Sequence, residues 1–136
     1  MFRRLRSPPP NLGVRDGRLA PCGRAPNCVS SQADEPQRAV AALEFSSDPA
    51  EAFDRLEQLI VSLPRTRIVS REGNYLHAEF TTRLLRFTDD MEFLLDEDAG
   101  VIHVRSASRV GHSDLGTNRR RVETIRRMFG AMQTRS

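Results

Sequence analysis

The sequence predicts an α+β fold in which an antiparallel sheet of four to five strands carries two helices on one face. Three observations support it. Apolar and charged residues alternate at strand period within residues 75–118, the strand-like segments follow one another across short turns, and one helical pattern precedes them while another follows. The expected order is (β)-α-β-β-β-β-α, preceded by an irregular N-terminal segment. At 136 residues the chain has room for one core.

The N-terminal part is rich in proline and glycine and poor in large apolar residues. We predict a flexible tail over residues 1–10, followed by a single domain over residues 11–136 that begins with an irregular leader, residues 11–37. The leader contains Cys22 and Cys28, whose spacing fits either a small-loop disulfide or two free thiols.

The first helix has the clearest boundaries. Asp48 is suited to cap it, proline follows at the first helical position, and Glu51 supplies the acidic partner of a capping box. Pro64 ends it, because the residue before a proline is pushed away from helical geometry. An optional strand over residues 39–45 precedes it, although the alanines there favour a helix nearly as much. The helical period gives one apolar face: Phe53, Leu56, Ile60 and Leu63.

Four strands and a second helix follow. The strands are expected over residues 67–71, 75–81, 89–95 and 101–107. The first two meet at Gly73 and Asn74, a pair that suits a tight turn with positive φ. The last helix has its arginines facing away from an apolar face made of Leu115, Val122, Ile125, Phe129 and Met132.

Period two sends the charged residues of these strands to the face away from the helices, which we call the outer face. A symmetric turn between the last two strands and a connection centred on Leu84 and Leu85 fix the register. The outer face then has three apolar members, Ile68, Leu94 and Val101, and six polar ones: His77, Glu79, Asp90, Glu92, His103 and Arg105. Its expected cross-strand neighbours are Glu92 with Arg105, Leu94 with His103, His77 with Glu92, and Glu79 with Asp90.

The outer face has a functional and a structural interpretation. Glu79 beside Asp90 is a like-charged pair, and such a pair can raise one carboxyl pKa enough for acid–base catalysis. The structural alternatives are a solvated face with cross-strand ion pairs, or a face covered by the leader. The catalytic candidates are His77, Glu79, Asp90 and His103.

A second candidate is the loop over residues 106–114, at the start of the last helix, where free backbone N–H groups favour anions. Alternatively, Ser113 or Asp114 simply caps that helix. The candidate ligand-binding residues of this loop and the outer face together are Glu92, Arg105, Ser106, Ser108, Arg109 and Ser113.

Composition argues against several classes of function. The net charge is only +3, and much of the excess lies at the chain ends, so nucleic acid is not an expected partner. No apolar run reaches the roughly 20 residues of a membrane span. Cys22 and Cys28 have no second closely spaced Cys/His pair to complete a zinc site, so we expect no metal and no cofactor. The opening MFRRLR lacks the apolar region of a signal peptide, which favours a cytoplasmic protein.

These observations favour a non-enzymatic binding or accessory module that acts on an unknown small anionic ligand or a protein partner. The alternative is a hydrolase-like enzyme that uses the Glu/Asp/His set of the outer face. Whether the protein is an enzyme stays open, because charge constellations are also common in structural roles.

Several segments together resemble the domain-of-unknown-function 1499 family, over nearly the whole chain from Asn11 onward. They are NLGVRDGRLAPC, PNCVSSQAD, YLHAEF, DDMEF, GVIHVRSASRVG and SDLGTNRRRVE. The resemblance implies a small α+β domain found mainly in bacteria, with plastid relatives, and it implies no activity. Gly111-His112-Ser113 departs from the usual Gly-Tyr-Ser of the family, so the resemblance gives His112 no family-wide role.

Overall fold

The computed structural model describes residues 11–110 and 114–133, so the expected tail over residues 1–10 lies outside the described part of the chain. The described residues form two helices, α1 (Pro49–Ser62) and α2 (Thr117–Gln133). None of their helices is long and apolar enough to cross a membrane. The strands are β1 (Val14–Arg15), β2 (Arg18–Leu19), β3 (Cys28–Ser30), β4 (Leu43–Glu44), β5 (Thr66–Glu72), β6 (Tyr75–Thr81), β7 (Thr88–Asp96) and β8 (Val101–Ser108).

The main sheet has six strands, and both helices pack on one of its faces, which confirms the predicted α+β class. The strand order is β3-β8-β7-β6-β5, and β4 also pairs with β8. All of these pairings are antiparallel. The expected number of four to five strands was too low, because β3, a segment of the leader, joins the sheet.

The leader is therefore more regular than predicted. β1 and β2 form a hairpin, and β3 pairs with one half of the β8 edge. β4, which is shorter than the strand expected over residues 39–45, pairs with the other half of the same edge. The physical reason is that the edge of β8 presents backbone N–H and C=O groups that need partners, and these short segments supply them.

The predicted register is confirmed across the three central strands, β6, β7 and β8. It follows from the β6–β7 connection centred on Leu84 and Leu85 and from the short β7–β8 turn, together with the alternation of apolar and polar residues. The observed neighbours on the outer face are Glu92 with Arg105, Leu94 with His103, His77 with Glu92, and Glu79 with Asp90.

The placement of Ile68 on the outer face was wrong. A β-bulge interrupts β5 between Ile68 and Ser70, and an irregularity of this kind breaks strict alternation along the strand. Ile68 pairs with Ala78, a core residue of β6, and packs against the hydrophobic core on the helix side. The apolar share of the outer face is correspondingly smaller than expected.

The helices begin and end largely as predicted. Asp48 caps α1 by accepting a hydrogen bond from the backbone N–H of Glu51 at 3.1 Å, and α1 ends before Pro64. Leu115 was wrongly assigned to the apolar face of the last helix: it precedes α2, has a positive φ of 53°, and is exposed. The core between sheet and helices includes Phe53, Leu56, Ile60, Leu76, Met91, Phe93, Ile102, Val104, Val122, Ile125 and Phe129.

A disulfide holds the leader beside the sheet. Cys22 and Cys28 form it, with their Cα atoms 5.6 Å apart, and Cys28 is also the first residue of β3. Arg38 donates hydrogen bonds to the carbonyl oxygens of Arg24 and Ala25, inside the loop that the disulfide closes. Because this loop is held from two sides, the leader is an integral part of the fold.

Replacing both Cys22 and Cys28 with serine is expected to lower the free energy of unfolding by about 2–3 kcal/mol, the loop-closure entropy of a crosslink across so short a loop. Urea unfolding measures the loss, and amide hydrogen exchange should quicken in β1 and β2. Reductant should shift the wild-type midpoint and leave the double variant unchanged. A wild-type midpoint that stays constant, although alkylation shows both thiols reduced, contradicts this role.

Candidate functional site

The outer face carries two clusters of polar side chains, which alternate residues of neighbouring strands bring together. The Glu92 cluster consists of Tyr75, Glu92 and Arg105. The Asp90 cluster consists of Arg67, His77, Glu79, Asp90 and Arg109. The two clusters contain three of the four predicted catalytic residues and three of the predicted ligand-binding residues.

The Glu92 cluster is covered by the leader. Glu92 is fully buried, and its Oε2 accepts hydrogen bonds from the backbone N–H of Gly13 at 2.7 Å and the Tyr75 hydroxyl at 2.6 Å. Oε1 accepts from Nη1 of Arg105 at 3.2 Å, and Nη2 of Arg105 donates to the carbonyl oxygen of Pro21 at 3.4 Å. Gly13 and Pro21 belong to the leader. The two buried charges therefore pair with each other and with backbone groups of the leader.

Tyr75 was missed as a site residue by sequence reasoning. Burial raises its pKa well above the ordinary value, and the hydrogen bond to Glu92 raises it further. The phenol is therefore a constant hydrogen-bond donor at neutral pH and not a base. Period two could have identified it, because Tyr75 lies at the start of β6 on the same face as His77 and Glu79.

The Asp90 cluster is a chain of charge-assisted hydrogen bonds. Nε2 of His77 lies 2.7 Å from Oδ1 of Asp90, and Nε of Arg109 donates to Oδ2 of Asp90 at 2.8 Å. Nη2 of Arg109 also donates to Glu79 at 2.5 Å, and Arg67 donates to the other oxygen of Glu79 at 3.0 Å. Each carboxylate in this cluster thus has an arginine as partner.

The electrostatics of Asp90 oppose the expectation that a like-charged neighbour raises a carboxyl pKa. Burial raises the pKa of Asp90, but hydrogen bonds from Arg109 and His77, together with their charges, more than offset it, so the pKa lies below its ordinary value. The hydrogen bond to Asp90 raises the pKa of Arg109. Arg109 lies between Asp90 and Glu79 as a shared counter-charge, so Asp90 is ionised at neutral pH and unsuited to act as a general acid.

His103 does not join the other catalytic candidates. Its Nδ1 lies 3.2 Å from the hydroxyl of Ser31, and its Nε2 lies 3.6 Å from a carboxylate oxygen of Asp96. These partners belong to the leader and to the end of β7. The structure therefore brings together His77, Glu79 and Asp90, and places His103 in a separate set of contacts.

The serines of the second candidate site surround Asn118 on the helix side of the sheet. The hydroxyl of Ser106 donates to Oδ1 of Asn118 at 2.5 Å. Nδ2 of Asn118 lies 2.9 Å from the hydroxyl of Ser108, 2.7 Å from Oδ2 of Asp114 and 3.2 Å from the carbonyl oxygen of Asn27. Asn118 thus joins β8, the start of α2 and the leader, and it is fully buried.

The ligand-binding candidates are consequently divided by the sheet. Arg105 and Arg109 extend to the outer face, whereas Ser106 and Ser108 lie on the helix side, so these four residues do not line one site. Ser113 lies outside the described residues.

The start of α2 is capped by Asp114. Its carboxylate accepts hydrogen bonds from the backbone N–H groups of Gly116 at 2.8 Å and Asn118 at 3.1 Å. Burial raises the pKa of Asp114, but the hydrogen bonds from Asn118 and Gly116 offset it and lower the pKa below its ordinary value. Sequence reasoning missed Asn118, although it lies on the same helical face as Val122 and Ile125, where a polar residue is unusual.

The described residues contain no group of three or more His, Cys, Asp or Glu side chains that could hold a metal ion. Both clusters instead pair carboxylates with arginine guanidinium groups, which compete with any cation for the same oxygens. The chemistry available on the outer face is therefore internal ion pairing.

Exposed apolar side chains gather elsewhere, at the end of the sheet where the β6–β7 and β8–α2 connections meet. A cleft of about 420 Å³ opens there, which we call the end cleft. Leu84, Leu85 and Leu115 are 87%, 68% and 83% exposed. Arg83 lines the same cleft, and Arg86 follows the two leucines. The apolar lining consists of Leu84, Leu85, Phe87, Val110 and Leu115.

Glu92→Gln and Arg105→Met, made singly, are each expected to lower the free energy of unfolding by about 3–5 kcal/mol, because each leaves an unmatched buried charge. The double variant should lose less unfolding free energy than the two single variants lose together. Urea unfolding of all four proteins measures the coupling. The half-exposed pair Glu123 and Arg126 is the control, with an expected coupling below about 1 kcal/mol. Additive losses at Glu92 and Arg105 would contradict the coupling between these two buried charges.

Acid is expected to destabilise the protein through Asp90. Because the folded pKa of Asp90 lies below its ordinary value of 3.8, its contribution is fully present above that value and is lost as the pH falls through the folded pKa. Asp90→Asn should therefore be less stable than wild type at neutral pH and lose less between about pH 5 and pH 2. Urea unfolding across that range measures it. Asp98→Asn, on the exposed β7–β8 turn, should keep the wild-type pH dependence.

Comparison with known proteins gives a family but no relative of known activity. Neither a curated protein nor a solved structure matches the chain. One family profile matches, described as "Protein of unknown function (DUF1499)", and it covers residues 18–129, from β2 to the last turns of α2. Because this match includes most of the chain and both clusters of the outer face, the protein belongs to the DUF1499 family.

Proposed function

We propose that this domain is a non-enzymatic binding module whose working surface is the end cleft, and that it takes a ligand with an apolar body and a negative charge. One observation carries the proposal. Five of the eight large apolar side chains that are exposed in the described residues line this cleft. Apolar groups gathered in one exposed place are typical of an interaction site, whereas single scattered ones are ordinary.

The charge around the end cleft supports an anionic ligand. Arg83 and Arg86 are exposed, and among the described residues neither forms an ion pair. The two acids of the cleft are engaged: Asp89 accepts from Arg121 at 2.7 Å, and Asp114 caps α2. The free charge at this end is positive, which favours an anion.

The outer face is a weaker candidate for ligand binding than the sequence suggested. Glu92, Arg105 and Arg109 all have partners within the protein, and the leader lies over the first two. A ligand there would have to displace the leader and replace buried charge-assisted hydrogen bonds. The proposed ligand site therefore moves from the outer face to the end cleft, whose lining includes Ser108, Val110 and Asp114 of the loop over residues 106–114.

A hydrolase-like enzyme is the less supported alternative. It would use His77, Glu79 and Asp90, and the structure does hold these three side chains together. All three are buried, however, and Arg109 binds both carboxylates. A substrate would need access to a face on which the carboxylates are already neutralised, so acid–base chemistry is not favoured there.

The disulfide bears on where the domain works. Disulfides persist in oxidising compartments and are rare in the cytoplasm, where thiols are kept reduced. Cys22 and Cys28 form one in this fold. We therefore propose an oxidising compartment in place of the cytoplasmic location expected from the sequence.

The dye 1-anilinonaphthalene-8-sulfonate is a suitable probe, because it combines an apolar body with a negative charge and fluoresces on exposed apolar surface. We expect the native protein to bind it. The variant with Leu84→Ser and Leu85→Ser should lose most of this fluorescence, since both side chains line the end cleft. The matched control is Val61→Ser, an exposed apolar residue on α1 that is 63% exposed.

Unchanged circular dichroism and urea midpoints establish that all three proteins are folded, so that dye binding reports the native surface. Equal fluorescence in wild type and the leucine variant would place the apolar ligand site elsewhere and overturn the assignment to the end cleft. A dye signal lost equally in the Val61→Ser control would also overturn it.

A further inference from the structure

We propose that the end cleft docks on an anionic lipid bilayer, with Leu84 and Leu85 inserted among the lipids and arginines at the phosphate level. This inference rests on the proposed function and names its partner. It concerns attachment to one leaflet through a loop. Insertion of this kind needs exposed apolar side chains at a tip and positive charge beside them.

The shape of the surface favours a bilayer over a folded partner. Leu84, Leu85 and Leu115 line the end cleft but are largely exposed, so most of each side chain projects into solvent at the end of the sheet. A projecting side chain needs a complementary pocket on a protein partner. The boundary region of a bilayer takes it without such a pocket, because lipid chains rearrange around it.

Sequence order around the tip gives the polarity that an interface requires. The β6–β7 connection runs Arg83, Leu84, Leu85, Arg86, Phe87, so the two leucines have an arginine on either side. Leucine side chains are more stable in the acyl region than in water, whereas arginine side chains reach back to lipid phosphates. The spacing therefore suits partial insertion, with the backbone of the connection held at the headgroup level.

Charge argues against the two occupants that the chain itself could supply. A second copy meeting this surface about a two-fold axis would bring Arg83 and Arg86 toward their own counterparts, a like-charged contact. The N-terminal tail carries Arg3, Arg4 and Arg6 and no acid before Asp16, so it is also positive. An anionic lipid surface is complementary to the end cleft, and these two are not.

Vesicle sedimentation tests the proposal on the full chain. We expect binding to vesicles that mix phosphatidylglycerol with phosphatidylcholine, and none to phosphatidylcholine alone. Arg83→Gln with Arg86→Gln should weaken the partition coefficient about thirtyfold, at about fivefold for each arginine near an anionic surface. Arg15→Gln with Arg127→Gln, two exposed arginines away from the cleft, is the charge-matched control and should bind nearly as wild type.

The leucines are tested separately from the charge. Leu84→Ser with Leu85→Ser should weaken binding about tenfold or more, because two apolar side chains no longer leave water, while Val61→Ser should not. The chain contains no tryptophan, so Leu84→Trp gives a single fluorescent reporter. Its emission should shift to the blue on mixed vesicles and be quenched by brominated lipid chains. The control Val61→Trp should show neither change.

The outcomes separate this inference from the proposed function. Dye binding at the end cleft without vesicle binding overturns the bilayer and leaves the binding module in place. Wild-type protein that binds no dye, or binds it as strongly after Leu84→Ser with Leu85→Ser, overturns both. A concentration-dependent dimer in sedimentation equilibrium that the leucine variant abolishes identifies a second copy as the occupant and overturns the lipid proposal. Vesicle binding that survives both the leucine and the arginine variants overturns it as well.

Discussion

The buried carboxylate of Glu92 is the constraint on which the arrangement of the leader depends. A fully buried charge is tolerated only when donors surround it, and the central strands supply two of them, Tyr75 and Arg105. The third donor is the backbone N–H of Gly13, and Arg105 in turn needs the carbonyl of Pro21. The leader is therefore required electrostatically as well as sterically. Nε of Arg105 stays buried without a hydrogen-bond partner in the described chain, so the pair favours a unique arrangement more than it maximises stability.

β8 connects this constraint to the rest of the fold. Its outward residue Arg105 binds Glu92 and the leader, and its next residue, Ser106, binds Asn118 at the start of α2. Asn118 also reaches the leader through the carbonyl of Asn27, between the two half-cystines. Both sides of β8 thus make internal polar contacts, and on each side these contacts include the leader. Asn118 and Arg105 lie on opposite faces of the sheet, but both form hydrogen bonds to the leader.

Much of the sheet could be predicted from the sequence, and much of the leader could not. Side-chain periodicity and two short turns determine register, so the pairing of Glu92 with Arg105 followed from residue types alone. The leader reaches Glu92 and Arg105 through the backbone N–H of Gly13 and the carbonyl oxygen of Pro21, groups that almost any residue type provides, so these two contacts leave no pattern in the sequence. The bulge beside Ile68 also could not be predicted, because the alternation of side chains continues on both sides of it. The charged face was found, whereas its role depended on what covers it.

With much of both sheet faces covered, the ends of the sheet and the edge strand β5 remain for contact with other molecules. The helices cover the inner face, and the leader covers the Glu92 cluster on the outer one. Glu92 and Arg105, which looked like part of a site, therefore serve to attach the leader. At the end of the sheet Leu84, Leu85 and Leu115 leave their apolar side chains in water, where folding gains no burial free energy from them. The buried charges are explained by the fold itself. The exposed apolar side chains are not, and binding to a partner accounts for them better.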